Sequence, residues 1–201
     1  MLRVGLTGGL ATGKSFVGET LARLGCYWIQ ADQLGHEVLA PGGEAYDGAV
    51  AEFGRGILKA DGSVDRPKLA REVFGRADRL AALNRLVHPP VIRRQEELLR
   101  EFEAREPDGI AVVEAAILVE TGSHARFDRL IVTHCDEETQ IERALRREGA
   151  TREAILARLS RQAPLEEKLK EADFVVDTSG GKEDTALQVK RIYETLRSIA
   201  S

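Results

Sequence analysis

The stretch Gly8-Gly9-Leu10-Ala11-Thr12-Gly13-Lys14-Ser15 restricts the fold more than any other part of the chain. It follows an apolar run holding Val4 and Leu6, and it opens a segment, residues 15–24, in which Val17, Leu21 and Leu24 recur at helical spacing before Gly25. The pattern is G-x-x-x-x-G-K-[ST], a strand–loop–helix turn whose glycines let the backbone close around phosphate oxygens. Successive N–H groups then converge at the positive end of the new helix. In such a loop Lys14 reaches the β- and γ-phosphates of a nucleoside triphosphate, and the Ser15 hydroxyl ligates Mg²⁺. Gly8, Gly9, Ala11, Thr12, Gly13, Lys14, Ser15 and Phe16 are the candidate nucleotide-binding residues.

The rest of the chain supplies the sheet that such a loop needs. Residues 3–7, 26–29, 110–118, 130–133 and 174–177 read as short strands, and the segments between them read as helices. Strands alternating with helices predict an α/β fold with a five-stranded parallel sheet flanked by helices, here a P-loop NTPase fold. Asp32 follows the second strand, where ligands of open parallel sheets bind; Trp28 within that strand reads as core. Glu114 interrupts the apolar third strand, and Glu114 or Glu120 can support Mg²⁺ through water. Between about residues 34 and 104, Pro41-Gly42-Gly43, Gly54, Asp61-Gly62 and Pro67 punctuate short helical pieces, so this region is expected to be an inserted helical substrate subdomain. A separate helix is expected from about residue 91, after His88-Pro89-Pro90. Residues 141–171 are rich in arginine and interrupted at Gly149, and they read as a helical lid. The core is then made of residues 1–33, 105–140 and 172–201 of a single domain.

Composition closes off several classes. The 201 residues carry a net charge of −4, which argues against an electrostatic nucleic-acid binder. No apolar run is long enough to span a bilayer, and the first strand begins at the N-terminus, so neither a membrane nor a signal peptide is expected and the cytoplasm is the expected location. Cys26 and Cys135 are expected to be buried free thiols. The histidines, His36, His88, His124 and His134, are too scattered to suggest zinc.

Among nucleotide-binding proteins, a GTPase fits poorly, because the chain's single asparagine, Asn84, is followed by Arg-Leu-Val rather than by a guanine-reading motif. A motor or transporter ATPase would need a coupling domain that is not evident. A small kinase fits: phosphate loop, acceptor subdomain and arginine-rich lid come in that order, and phosphoryl transfer calls for mobile cations over the spreading negative charge.

Further residues carry a closer resemblance. Leu6-Thr7-Gly8-Gly9 leading into Gly13-Lys14-Ser15, Ala31-Asp32, Phe53-Gly54, Asp61-Gly62, Asp65-Arg66, Val73-Phe74, Leu86-Val87-His88-Pro89, Ile117-Leu118-Val119-Glu120, Thr139-Gln140 with Arg143 and Arg147, Gln162 and Ala172-Asp173 together resemble the dephospho-CoA kinase family over residues 4–191. Gln30-Ala31-Asp32 stands where that family carries Asp-Ala-Asp, Ala11-Thr12 where Gly-Ser is common, and Thr178 where Asn is usual. The resemblance implies ATP with Mg²⁺, dephospho-CoA as acceptor, and a monomer or weak homo-oligomer. It implies that Asp32 binds and orients the ribose 3′-hydroxyl and receives its proton, with Lys14 on the phosphates. Arg143 becomes the expected lid cation over the transferring group, with Arg147 beside it in ATP binding, and His88 helps shape the acceptor pocket. Another small nucleotide or metabolite kinase, or a non-catalytic ATP-binding regulator, remains the alternative.

Overall fold

The apolar run at the start of the chain forms β1 (Leu2–Gly8), whose partners in the sheet are distant in sequence. On one side lies β3 (Ile110–Glu114), in parallel register from Leu2↔Ile110 to Leu6↔Glu114. On the other lies β4 (Arg129–His134), from Val4↔Arg129 to Gly8↔Thr133. With β2 (Tyr27–Gln30) and β5 (Phe174–Asp177) at the edges, the order is β2-β3-β1-β4-β5. The structure is a computed structural model and describes residues 1–146, 151–160 and 162–200. The expected five-stranded parallel sheet is present. In its inner strands β3 and β4, residues 110–113 and 130–132 are continuous apolar runs, as expected of strands covered on both faces. The third strand is shorter than the apolar run 110–118 suggests. Ala115 N–H still bonds Leu6 O at 3.0 Å, but Leu118 then turns into a separate cluster with Leu130 and Val132.

Two helices seal the main core: α1 (Lys14–Arg23) through Val17 and Leu21, and the C-terminal helix, Lys182–Ala200, through Val189 and Leu196. They pack with Val4, Leu6, Val112, Ile131 and Val176, all fully enclosed. Cys26 joins this core, where burial pushes its thiol up to about 12 against the weaker opposing charge of Arg197. Since only the thiolate is an effective nucleophile, Cys26 in native protein is expected to resist alkylation at pH 8 and to react once the chain is unfolded in urea. Mass mapping of iodoacetamide adducts checks this, and rapid native labelling would contradict it.

The chain divides into two units, Met1–Ile29 with Glu101–Ser201, and Gln30–Arg100. The second holds α2 (Ala31–Val38), α3 (Tyr46–Phe53), a 3₁₀ turn at Arg55–Ile57, α4 (Arg66–Val73) and most of α5 (Ala77–Arg105). Its own core gathers Ala49, Phe53, Ile57, Val64 and Leu69. The Asp65 carboxylate accepts from Lys68 N–H at 3.1 Å and Pro67 lies in the first turn of α4, the usual device for starting a helix.

The separate helix expected after Pro90 is not a separate helix. α5 runs through Pro89 and Pro90 for 29 residues. Proline withholds an N–H from the carbonyl four residues back, here Arg85 and Leu86. The buried stripe of Ala82, Pro90, Val91, Gln95 and Leu99 keeps the helix whole, packing overriding local propensity.

Between β4 and β5 come α6 (Glu137–Leu145), α7 (Arg152–Leu159) and α8 (Leu165–Lys170), so the C-terminal helix is α9. Asp136 caps α6 by accepting from Thr139 N–H at 2.7 Å, and Thr151 caps α7 by accepting from Ala154 N–H at 3.2 Å. The expected interruption at Gly149 lies outside the described residues, as do Arg147 and Arg161.

Candidate functional site

The loop between β1 and α1 is braced from below by three threonines. Thr12 Oγ1 lies 2.9 Å from Gly9 O and 2.8 Å from Thr133 Oγ1, and the Thr178 hydroxyl sits 3.0 Å from Thr12 O and 3.1 Å from His134 O. All three are buried, so these bonds satisfy hydroxyls that water cannot reach. Gly8 makes the approach possible, because a Cβ there would stand 2.2 Å from Thr133 Oγ1. Gly13 takes the left-handed conformation at φ 77° as the N-cap of α1. Ala11 does so at φ 58°, the one non-glycine residue with positive φ among the described residues. Strain of this kind, about 1–2 kcal/mol for a side chain with a Cβ, collects at functional loops.

The Lys14 ammonium bends over the loop, donating to Gly9 O at 2.8 Å and Gly8 O at 3.1 Å. Leu10 N–H donates to Gln162 Oε1 at 2.8 Å, and Gln140 Oε1 lies against Gly9. The amides of Lys14 and Ser15 belong to the first turn of α1, where helix geometry supplies no carbonyl for them. The result is a loop with positively polarised amides and the Lys14 ammonium folded over it.

Ser15 Oγ donates to Glu114 Oε1 at 2.9 Å, and Trp28 Nε1 donates to Glu114 Oε2 at 3.1 Å. Of the two carboxylates considered from sequence, Glu114 is therefore the one beside Ser15. Glu120 instead accepts from Lys168 Nζ at 2.6 Å and from Ala163 N–H at 3.1 Å. Trp28, read from sequence as core, does pack against the main core, but its N–H is spent on a carboxylate. Among the described residues no cluster of three His, Cys, Asp or Glu side chains forms a protein cage for a metal. A serine hydroxyl beside one carboxylate is instead the sparse oxygen set that Mg²⁺ accepts when phosphates and water complete its shell.

Arg143, on α6, donates to Thr178 O at 2.6 Å and to Thr178 Oγ1 at 3.1 Å, so it joins the loop through the same threonine that touches Thr12. Its neighbour Cys135 is buried, and desolvation raises its thiol despite the Arg143 charge and a hydrogen bond from Thr178. Lys182 Nζ lies 5.6 Å above the Phe16 ring, adding a second cation on this side.

Asp32 and His88 belong to the second unit. Asp32 is the second residue of α2, which begins directly after the last residue of β2, and its carboxylate lies in the positive first turn. The N-cap is Gln30, which makes no side-chain cap; its Oε1 accepts from Gln33 Nε2 at 2.5 Å. His88 is half-buried, and desolvation holds its imidazole below the ordinary histidine range, neutral at pH 7. A groove of about 200 Å³ opens in this unit between Val38, Gly43, Pro90 and Arg94, and neither Asp32 nor His88 lines it.

A lysine–serine phosphate loop joining the first strand to the first helix of a parallel β2-β3-β1-β4-β5 sheet defines a P-loop NTPase fold of the kind small kinases use. The family model described as dephospho-CoA kinase matches residues 2–184. A dephospho-CoA kinase of Aquifex aeolicus is 39% identical over 196 residues, covering 98% of both chains. A crystal structure from Thermus thermophilus superposes with a TM-score of 0.80 at 31% identity over 97% of each chain. The dephospho-CoA kinase from Campylobacter jejuni shares the fold, with a TM-score of 0.65 at 24% identity over 96% of each. The chain belongs to the dephospho-CoA kinase family. Among the described residues no helix is long and apolar enough to cross a membrane.

Proposed function

We propose that this chain transfers the γ-phosphoryl group of ATP to the ribose 3′-hydroxyl of dephospho-CoA, giving coenzyme A and ADP in the last step of coenzyme A synthesis. The observation that carries this reading is the Lys14–Ser15–Glu114 constellation on the phosphate loop, in a chain that matches the family along nearly its whole length. Small kinases position and neutralise more than they activate. The loop amides and Lys14 hold the β- and γ-phosphates. Ser15 would ligate Mg²⁺ with support from Glu114, and the bound metal would neutralise charge on the phosphate oxygens. The acceptor oxygen forms its bond to the γ-phosphorus as the bond to the β–γ bridging oxygen breaks, and the hydroxyl proton passes to Asp32. Arg143, already tethered to the loop through Thr178, is the lid cation for the transferring group, Arg147 contributes to ATP binding, and His88 helps shape the acceptor pocket. Residues 141–171 act as the lid and residues 34–104 as the acceptor subdomain. The site of action is the cytoplasm, with a monomer or weak homo-oligomer as the working form.

Acceptor-dependent ADP release tests this. Dephospho-CoA is expected to raise ADP formation far above the acceptor-free rate, and Asp32→Asn to lower the acceptor-dependent rate by about a hundredfold, within the usual range for a positioned base. An Asp32→Asn protein with near-normal turnover would remove Asp32 from the reaction.

A further inference from the structure

Glu114 is gripped at both oxygens. Ser15 Oγ donates to Oε1 at 2.9 Å and the Trp28 indole N–H donates to Oε2 at 3.1 Å. The carboxylate closes β3 and is 9% exposed, so its aim is set by protein partners rather than by water. Trp28 comes from β2, the neighbouring strand in the sheet. Its ring lies directly on α1: a Cβ added at Gly18 would stand 2.4 Å from Nε1, 2.5 Å from Cε2 and 2.8 Å from Cζ2, closer than packed atoms come. Ser15 and Gly18 are three residues apart and share one face of the helix. The absent side chain at Gly18 thus seats the indole one turn below Ser15, with its N–H under the carboxylate that Ser15 also touches.

We propose that Trp28 is a positioning residue for the metal: by holding Glu114 turned toward Ser15, its indole N–H sets how tightly Mg²⁺ binds beside the phosphate loop. This rests on the nucleotide–metal reading of the loop. A carboxylate held at its far oxygen by an N–H donor keeps its near oxygen aimed, whereas one released on that side samples other rotamers and spends its charge elsewhere. Gly18 is part of the same device, although it touches neither ligand nor carboxylate.

The test measures metal binding itself. Mn²⁺ binding to the ADP complex is followed by electron paramagnetic resonance in the native protein, Trp28→Phe and Gly18→Ala. Trp28→Phe keeps a ring and removes the N–H, and the Mn²⁺ dissociation constant is expected to rise about tenfold, as for loss of other outer-shell partners. ADP affinity in EDTA is expected to stay unchanged. Gly18→Ala displaces the indole without removing it and is expected to weaken Mn²⁺ binding similarly. In turnover, the Mg²⁺ concentration for half-maximal rate is expected to move with the Mn²⁺ constant while kcat at saturating metal moves far less. The chain has one tryptophan, so its emission reports on this site alone. Mg²⁺ added to the native ADP complex is expected to shift that emission, and the shift is expected to vanish in Gly18→Ala.

Native Mn²⁺ affinity in both variants overturns the proposal. If Trp28→Phe fails to fold, Gly18→Ala decides: weakened binding with the emission shift lost supports the role, and native values refute it. If the native protein itself shows no ADP-dependent Mn²⁺ binding, the metal reading of the loop fails and the role of Trp28 falls with it. If native binding is present and lost in Ser15→Ala while both other variants bind normally, the loop reading stands and only Trp28 falls.

Discussion

Lys14→Ala is expected to slow phosphoryl transfer by about a thousandfold, the upper end of the cost of losing one preorganised charge donor. The expectation follows from where the ammonium is held. It donates to Gly8 O and Gly9 O at 3.1 and 2.8 Å, so it waits at the mouth of the loop without needing to be recruited. Negative charge that spreads over the γ-phosphoryl oxygens in the transition state meets this cation more strongly than the ground state does, and the loss therefore falls on kcat. Loop amides remain in the variant, so ATP binding weakens much less than turnover. Lys14→Arg is expected not to restore the rate, because a planar, forked guanidinium does not replace a compact ammonium curled over its own loop. Steady-state kinetics with dephospho-CoA, alongside thermal melts to confirm folding, check both variants. A fall of less than about tenfold in kcat would remove Lys14 from transition-state stabilisation.

Lys168→Ala is expected to destabilise the protein by roughly 3–5 kcal/mol, the cost of stranding one partner of a buried ion pair. Lys168 is 1% exposed, and its ammonium lies 2.6 Å from Glu120 Oε1 and 3.4 Å from Ala116 O. Glu120 Oε1 also accepts from Ala163 N–H, while Oε2 is buried with no hydrogen-bond partner among the described residues. Removing the lysine leaves the Glu120 carboxylate, whose side chain is only 16% exposed, with the Ala163 N–H but without its counter-charge. Removing both charges is a different experiment. Lys168→Met with Glu120→Leu is expected to recover most of the loss, since well-packed apolar pairs often match buried ion pairs. Urea unfolding of the single and double variants measures the coupling directly. A loss below about 1 kcal/mol for Lys168→Ala would mean that water reaches Glu120 readily.

The pair also shows where sequence reading stops. Glu120 belongs to a recognisable Leu-Val-Glu run and looks equivalent to Glu114 as a metal-supporting acid. Their difference comes from partners far along the chain, Ser15 for one and Lys168 for the other, and no local pattern encodes those meetings. The phosphate loop was legible because its function depends on spacing within consecutive residues. The parallel sheet was legible because short apolar stretches such as residues 110–113 and 130–132 alternate with helical segments along the chain. Trp28 reads correctly as packing on the core, but nothing in its neighbourhood in sequence reveals that a glycine on α1 makes room for it or that its N–H meets Glu114. Thr133 and Gln140 carried no signal as loop supports, since they reach the loop only through the register of β1 with β4 and the start of α6. The run through Pro89 and Pro90 was misread for the opposite reason, because local propensity was clear and tertiary burial outweighed it.

The identity of the phosphorylated product tests the proposed transfer most directly. Purified protein is incubated with ATP, Mg²⁺ and dephospho-CoA, and the product is analysed by mass and by ³¹P NMR. The expected result is a product heavier than the acceptor by a single phosphoryl group, with a new phosphomonoester resonance on the ribose 3′ position and ADP formed in equal amount. Clear ATP binding without any acceptor-dependent phosphomonoester, or phosphorylation at another position, would contradict the assignment of dephospho-CoA as acceptor and of Asp32 as the residue that orients its hydroxyl.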